Sequence, residues 1–289
     1  MKKARVPLIL LLLFGLLANL FLPSCKKEAQ PELRVVTGTT LISANVAEVG
    51  GGLVSAVSII PPTLLPDDFE LKPEDISVLS DADLLIIHDW QEAMFSPEVI
   101  AQTDNSRLVV ETIALPGDWM IPSVQIAATD KVTDILMRID SQNSAAYRKA
   151  AASHKKMVSE KEAMILTRAN LAYKDFVRRN IPSFNIICDD TLVEFIKWLG
   201  VKVVGTYGRP DSITTDVIKE LIIEGRYHRV VLVVDSIQSG NNSGADIAPG
   251  VGATRTIISS YPGGFKNTET WEKTIDRNIG YLLGALNEC

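Results

Sequence analysis

Two acidic pairs and one histidine carry most of what could do chemistry in this chain. Asp67-Asp68 follows an apolar run, Val54 to Ile60, that stops at Pro61-Pro62, and His88-Asp89 closes a second apolar run, Leu84 to Ile87. Another pair, Asp189-Asp190, follows Ile186-Ile187 in the second half. Ligands of open parallel sheets bind beyond the carboxyl ends of the strands, where loops are free of packing duties. Asp67 and His88 are therefore expected on one binding rim. Trp90 and Trp119, each just past a strand end, would serve as aromatic walls for an organic ligand or equally as core. The competing readings are structural: the Asp67-Asp68 pair caps the following turn, Asp189-Asp190 caps its helix, and His88 is a satisfied core histidine. His154 and His228 read as surface residues.

Little supports catalysis. Gly250-Val251-Gly252 lacks the third glycine of a dinucleotide loop. No G-x-S-x-G, H-E-x-x-H or C-x-x-C occurs, and nothing sets one acid apart as a proton donor. The chain is not read as an enzyme.

The elements that must position these residues follow an α/β rhythm. Strands are predicted at Leu33 to Val36, Val54 to Ile60, Leu84 to Ile87 and Leu108 to Thr112, with a helix from Leu41 to Val49 ended by Gly50-Gly51-Gly52. From Thr129 the pattern becomes sustained helix. The stretch 144–178 contains neither proline nor glycine, so one rod or two abutting helices is expected there. The rhythm then restarts, with strands near Ile186, Val201 to Gly205, Val230 to Val234 and Thr256 to Ser259. This alternation predicts an α/β fold of two doubly wound parallel-sheet lobes joined by a long linker helix. The lobes are placed at 33–143 and 179–289, with the linker between them.

The ends bound the compartment. Lys2, Lys3 and Arg5 precede an apolar run from Pro7 to Leu22, and Cys25 stands at the expected cleavage point. Residues 1–24 thus read as a lipoprotein signal peptide, with Cys25 acylated and 25–32 a tether. An uncleaved membrane anchor is the alternative. Of 289 residues, cleavage leaves 265, enough for two domains. It also removes three basic residues and no acid, taking the formal charge from −6 to −9. Such a surface argues against nucleic acid. Cys188 and Cys289 read as unpaired thiols, with a single bridge between them as the alternative in an oxidising compartment.

The stretch Ile59 to Asp89 resembles the metal-binding solute-binding proteins of ABC transporters, the zinc/manganese type. Pro61-Pro62, Pro66, Phe69-Glu70, Pro73, Asp75, Leu79 and Ala82-Asp83-Leu84 fall in register with that family's motif. Tyr147 with the run to Ala172 is similar to the family's backbone helix, and the closing Thr270 to Leu286 to its last helix. The resemblance implies ligand positions at Asp67, Ser123, Asp189 and Tyr261, in place of three histidines and an acid. That set is all oxygen and suits harder cations better than zinc, which prefers imidazole and thiolate. His88 would add one nitrogen. The resemblance further implies a monomer held outside the cytoplasm at the cell membrane by the Cys25 lipid. Its cargo would be a divalent metal ion, manganese or zinc first, passed from the cleft to ABC permease and ATPase subunits. A metal chelate or small organic solute in the same frame, and a surface adhesion or scaffold protein without cargo, remain alternatives.

Overall fold

A computed structural model describes residues 32–178, 184–240 and 242–287, without the side chains of 176, 177 and 287. The predicted leader, most of the tether, Cys25 and Cys289 lie outside the described residues.

The first sheet is built from β1 (Leu33–Thr37), β2 (Val54–Ser58), β3 (Leu84–His88) and β4 (Val109–Ile113), all parallel, in the order β2-β1-β3-β4. The second repeats the arrangement with β5 (Asn185–Asp189), β6 (Lys202–Tyr207), β7 (Leu232–Ser236) and β8 (Thr254–Ile258), in the order β6-β5-β7-β8. Helices α1 (Thr40–Gly50), α2 (Pro73–Ser80), α3 (Pro97–Ala101), α4 (Pro122–Ile139), α5 (Ser144–Arg178), α6 (Val193–Trp198), α7 (Thr215–Tyr227), α8 (Ile247–Val251) and α9 (Trp271–Asn287) cover the sheets.

The middles of the central strands are apolar because both faces are covered, and the period of two sends alternate residues into different layers. Leu84 and Ile86 enter one core, while Leu85 and Ile87 enter another beneath α2 and Phe95. In the second sheet Ile186, Cys188, Leu232 and Val234 join the first of these cores, and Ile187 and Val233 pack with Leu221 and Ile247 instead. The shared core therefore runs through both lobes along α5, whose Tyr147, Ala151, Val158 and Ile165 are buried in it. The 35 residues of α5 form one continuous helix, as its lack of helix breakers allows.

Several expectations shift. Helix α4 begins at Pro122 rather than Thr129, because proline at the first helical position gives up an N–H that had no partner there. Helix α7 begins at Thr215, with the Thr214 hydroxyl accepting from Val217 N. Gly250 and Gly252 end α8, with Gly252 left-handed. His154 is the clear correction: expected at the surface, it is 5 % exposed. It faces inward from α5, where Gln125 Nε2 lies 3.1 Å from its Nε2 and Glu48 Oε2 lies 3.6 Å from its Nδ1. Asn45 and Thr129 complete this polar layer among α1, α4 and α5. A polar stripe on a long helix is legible in sequence; which neighbour covers it is not.

Candidate functional site

The strand order creates a switch point between β1 and β3 in one lobe and between β5 and β7 in the other, and the cleft opens at these carboxyl ends. At the first switch point, Gly38 N donates to Ile86 O at 2.9 Å. Thr39 then starts α1 without capping it through its side chain. Its hydroxyl instead meets His88 Nε2 at 2.9 Å. His88 N donates to Gln91 Oε1 at 3.1 Å, and a Cβ on Gly38 would lie 2.1 Å from that same oxygen. Glycine at 38 is thus what lets Gln91 fix the loop carrying the histidine.

His88 is 2 % exposed. Burial holds its pKa down to about 4, with the Asp89 charge opposing, so the ring is neutral near pH 7. Trp90 lies flat against it, with ring centroids 4.8 Å apart and planes 12° apart. Trp119 meets it edge-on at 4.8 Å and 71°. The result is an aromatic block whose outer member, Trp90, is 52 % exposed.

This block backs a cavity of about 930 Å³ between the lobes. The first lobe contributes His88, Asp89, Trp90, Asp118 and Trp119, and the second Asp190, Thr191, Glu194, Ser260 and Tyr261. Among the described residues, no lysine or arginine lines it. Trp90, Asp190, Thr191, Tyr261 and Leu65 also border an adjoining cavity of about 550 Å³, to which Asp67, Arg209 and Asp211 contribute.

Asp118 is positioned by the turn at Gly117, which is left-handed. Its Oδ1 accepts from Met120 N at 2.8 Å, a short Asp turn that leads into α4. Glu194 reaches across from α6, its Oε2 accepting from Asp118 N at 3.0 Å. Burial lifts the Asp118 pKa to about 6; the Met120 hydrogen bond opposes this and the Glu194 charge adds to it. Tyr261 has its phenol pKa raised, first by burial and then by the charges of Asp118 and Asp67.

Two further contacts join the lobes. Arg209, in the loop after β6, pairs with Asp68 and, at 3.5 Å, with Asp67. Gln238 Nε2 donates to Pro62 O at 2.6 Å.

The five residues singled out in the sequence occupy different settings. His88 and Tyr261 line the larger cavity, and Asp67 and Tyr261 the smaller. The Asp67 side chain is 85 % exposed and turned toward Arg209. Asp189 is 1 % exposed beneath the rim. Its Oδ1 accepts from Thr191 N at 3.0 Å and Thr191 Oγ1 at 2.5 Å, capping the turn that leads to α6. Burial raises its pKa, against the Thr191 and Ser239 hydrogen bonds. Ser123 sits exposed in the first turn of α4 and lines neither cavity. Both tryptophans line the larger cavity, although Trp119 is also core. Cys188 is buried and has no disulfide partner among the described residues, its thiol pushed up to about 12 chiefly by burial.

Asp118, Glu194 and Arg209 were not singled out in the sequence. The one signal for Asp118 is its place between a glycine and a tryptophan just past β4. Glu194 and Arg209 carry none, since each acts on a partner in the other lobe. Among the described residues, no group of three or more His, Cys, Asp or Glu side chains is placed to hold a metal ion, and no helix is long and apolar enough to cross a membrane.

Residues 35–285 match the family described as ZnuA, zinc-uptake complex component A, periplasmic. Among solved structures the chain is similar to the periplasmic zinc-binding protein TroA of Treponema pallidum, at 15 % identity and TM-score 0.71, over 88 % of this chain and 99 % of that one. It is also similar to the laminin-binding protein of Streptococcus agalactiae, described as having adhesin and metal-transporting activity, at 18 % and 0.72, over 88 % and 99 %. A third is the solute-binding protein FpvC of Pseudomonas aeruginosa in complex with Mn²⁺, at 18 % and 0.71, over 89 % and 99 %. At these identities the likeness establishes the two-lobed fold.

Proposed function

The chain belongs to the ZnuA family of periplasmic metal-uptake components, and from that premise we propose that it takes a divalent cation into the cavity between its lobes for import. The family's members are the extracytoplasmic solute-binding parts of ABC transporters and not enzymes, and their cargo passes to permease and ATPase subunits. The observation that carries the reading is charge. Asp89, Asp118, Asp190 and Glu194 line one cavity at the carboxyl ends of both sheets, with no basic side chain among the described residues of its walls. A low-dielectric cleft lined by one sign of charge concentrates the opposite ion.

The oxygen acceptors of these walls, with a single neutral imidazole, suit manganese or another hard cation that keeps its own oxygen ligands better than zinc, which prefers imidazole and thiolate. His88 and Tyr261 are the sequence-chosen residues that fit this role, with Asp67 at the outer cavity. Asp189 would support the rim from beneath. In the same reading, Cys25 carries the lipid that keeps a monomeric protein at the membrane.

Calorimetric titration of the chelator-stripped mature protein with Mn²⁺, Zn²⁺ and Ca²⁺ tests this. One saturable site is expected, tightest for Mn²⁺ and weakened at least about tenfold, or 1.4 kcal/mol, when Asp118 and Asp190 are both changed to Asn. Absence of heat with all three ions would overturn it.

A further inference from the structure

We infer that the cation occupies the cleft still wrapped in its own ligands, as a cationic aquo or amine complex, and that the walls recognise that outer shell instead of coordinating the metal directly. The inference rests on the cation-uptake reading and specifies the form of the cargo.

Size is the first argument. A directly coordinated divalent ion needs donors converging at about 2.0–2.6 Å, and no group of three acidic, histidine or cysteine side chains among the described residues is placed to provide them. The cavity of about 930 Å³ is instead of small-molecule size, since ligand pockets commonly run about 300–1,000 Å³. A bare ion would leave most of it to water; a ligated ion several ångströms across would fill more of it.

The second argument is what the walls present. Trp90 offers an open indole face, held in place by the stack on His88, and His88 is itself fixed by Thr39 and Gln91. An exposed indole face attracts a cation whether or not that cation has free coordination sites. The surrounding groups are acceptors. One oxygen of Asp118 and one of Glu194 are engaged by backbone N–H groups, and the remaining carboxylate oxygens are available to the N–H or O–H donors of a ligand shell. Ser260 Oγ, on the same cavity wall, is buried without a hydrogen-bond partner, so it too can meet a shell donor or acceptor. The sign is set by the four acidic residues of the walls, which hold no basic residue among the described ones. An anionic chelate would be repelled, so the complex must carry net positive charge.

Hexaamminecobalt(III) separates the two modes, because its ammine ligands do not exchange and it can be bound only through its shell. The mature protein would be titrated with this complex and, separately, with Mn²⁺, following heat and tryptophan fluorescence. Expected is a single site for the inert complex, at least as tight as that for Mn²⁺ and displaced by it. Trp90→Leu should weaken it roughly tenfold, and Asp118→Asn with Glu194→Gln should weaken it further. A control pair on α7, Asp216→Asn with Glu220→Gln, should leave it unchanged. If Mn²⁺ binds and the inert complex does not, the metal is coordinated directly: the inference falls and the uptake reading stands. If the inert complex binds but Trp90→Leu and the cavity pair change nothing, the attraction is general charge and the inference falls. If neither ligand binds, both fall.

Discussion

The carboxyl of Asp118 offers the sharpest single test of the cavity's electrostatics. Its pKa of about 6 in the folded chain stands against about 3.9 for an unperturbed aspartate. Between these values the folded state holds a proton that the unfolded state has released. Stability therefore falls as pH rises through that window, is level above about pH 6, and has no contribution from this group below about pH 4. A gap of about two units corresponds to about 3 kcal/mol as an upper bound, and solvent reaching the cavity reduces this to about 1–3 kcal/mol. Asp118→Asn removes the charge and keeps an oxygen that can accept from Met120 N. The cation-free variant should then be more stable than the parent near pH 7.5, by about 1–3 kcal/mol, or about 2–10 °C in melting midpoint for a chain of this size. The advantage should shrink toward zero near pH 4. Added cation should reverse the order, because the parent gains more binding free energy. Urea unfolding followed by tryptophan fluorescence across pH 4–8, with and without Mn²⁺, measures all three effects. A variant no more stable than the parent near pH 7.5, or an advantage that persists unchanged to pH 4, would refute the argument that this carboxylate is held in the wall at a cost that the cargo relieves.

Two further outcomes are expected. Arg209→Ala removes the pairs with Asp67 and Asp68 that span the mouth of the outer cavity; being exposed, they should contribute no more than about 1 kcal/mol to stability. Dissociation of bound cation, followed by stopped-flow fluorescence, should nonetheless speed up, and an unchanged rate would show that the contact does not restrain the lobes. Asn45→Ala strips the buried layer that joins α1, α4 and α5 of the partner shared by Gln125 and Thr129, and should cost about 2–4 kcal/mol. A thermal melt showing a loss below about 0.5 kcal/mol would mean that the helices repack without it.

The fold was readable because its signals are local. The apolar run Leu84 to Ile87, the three glycines after Val49 and the unbroken 144–178 each set an element by propensity and period, and the structure keeps all three. The rim was legible in part: His88 ends a strand beside the switch point, and Trp90 and Trp119 follow strand ends, but wall and core were equally open for the two tryptophans, and Trp119 is both. Asp189 shows where this kind of reading stops. Its position at the end of β5 was visible, but whether it faces a ligand or caps the next turn depends on the rotamer that burial allows, and it accepts from Thr191.

Periodicity and the residue types near strand ends were thus enough for two parallel α/β layers, a connecting rod and acids at the strand ends. Only the tertiary structure decided which acids share a cavity. Asp118 and Glu194 stand 76 positions apart and Asp68 and Arg209 stand 141 apart. Each pair meets only because α5 and the common core hold one lobe against the other. Contacts between lobes carry no period, and so nothing in the linear order marks them.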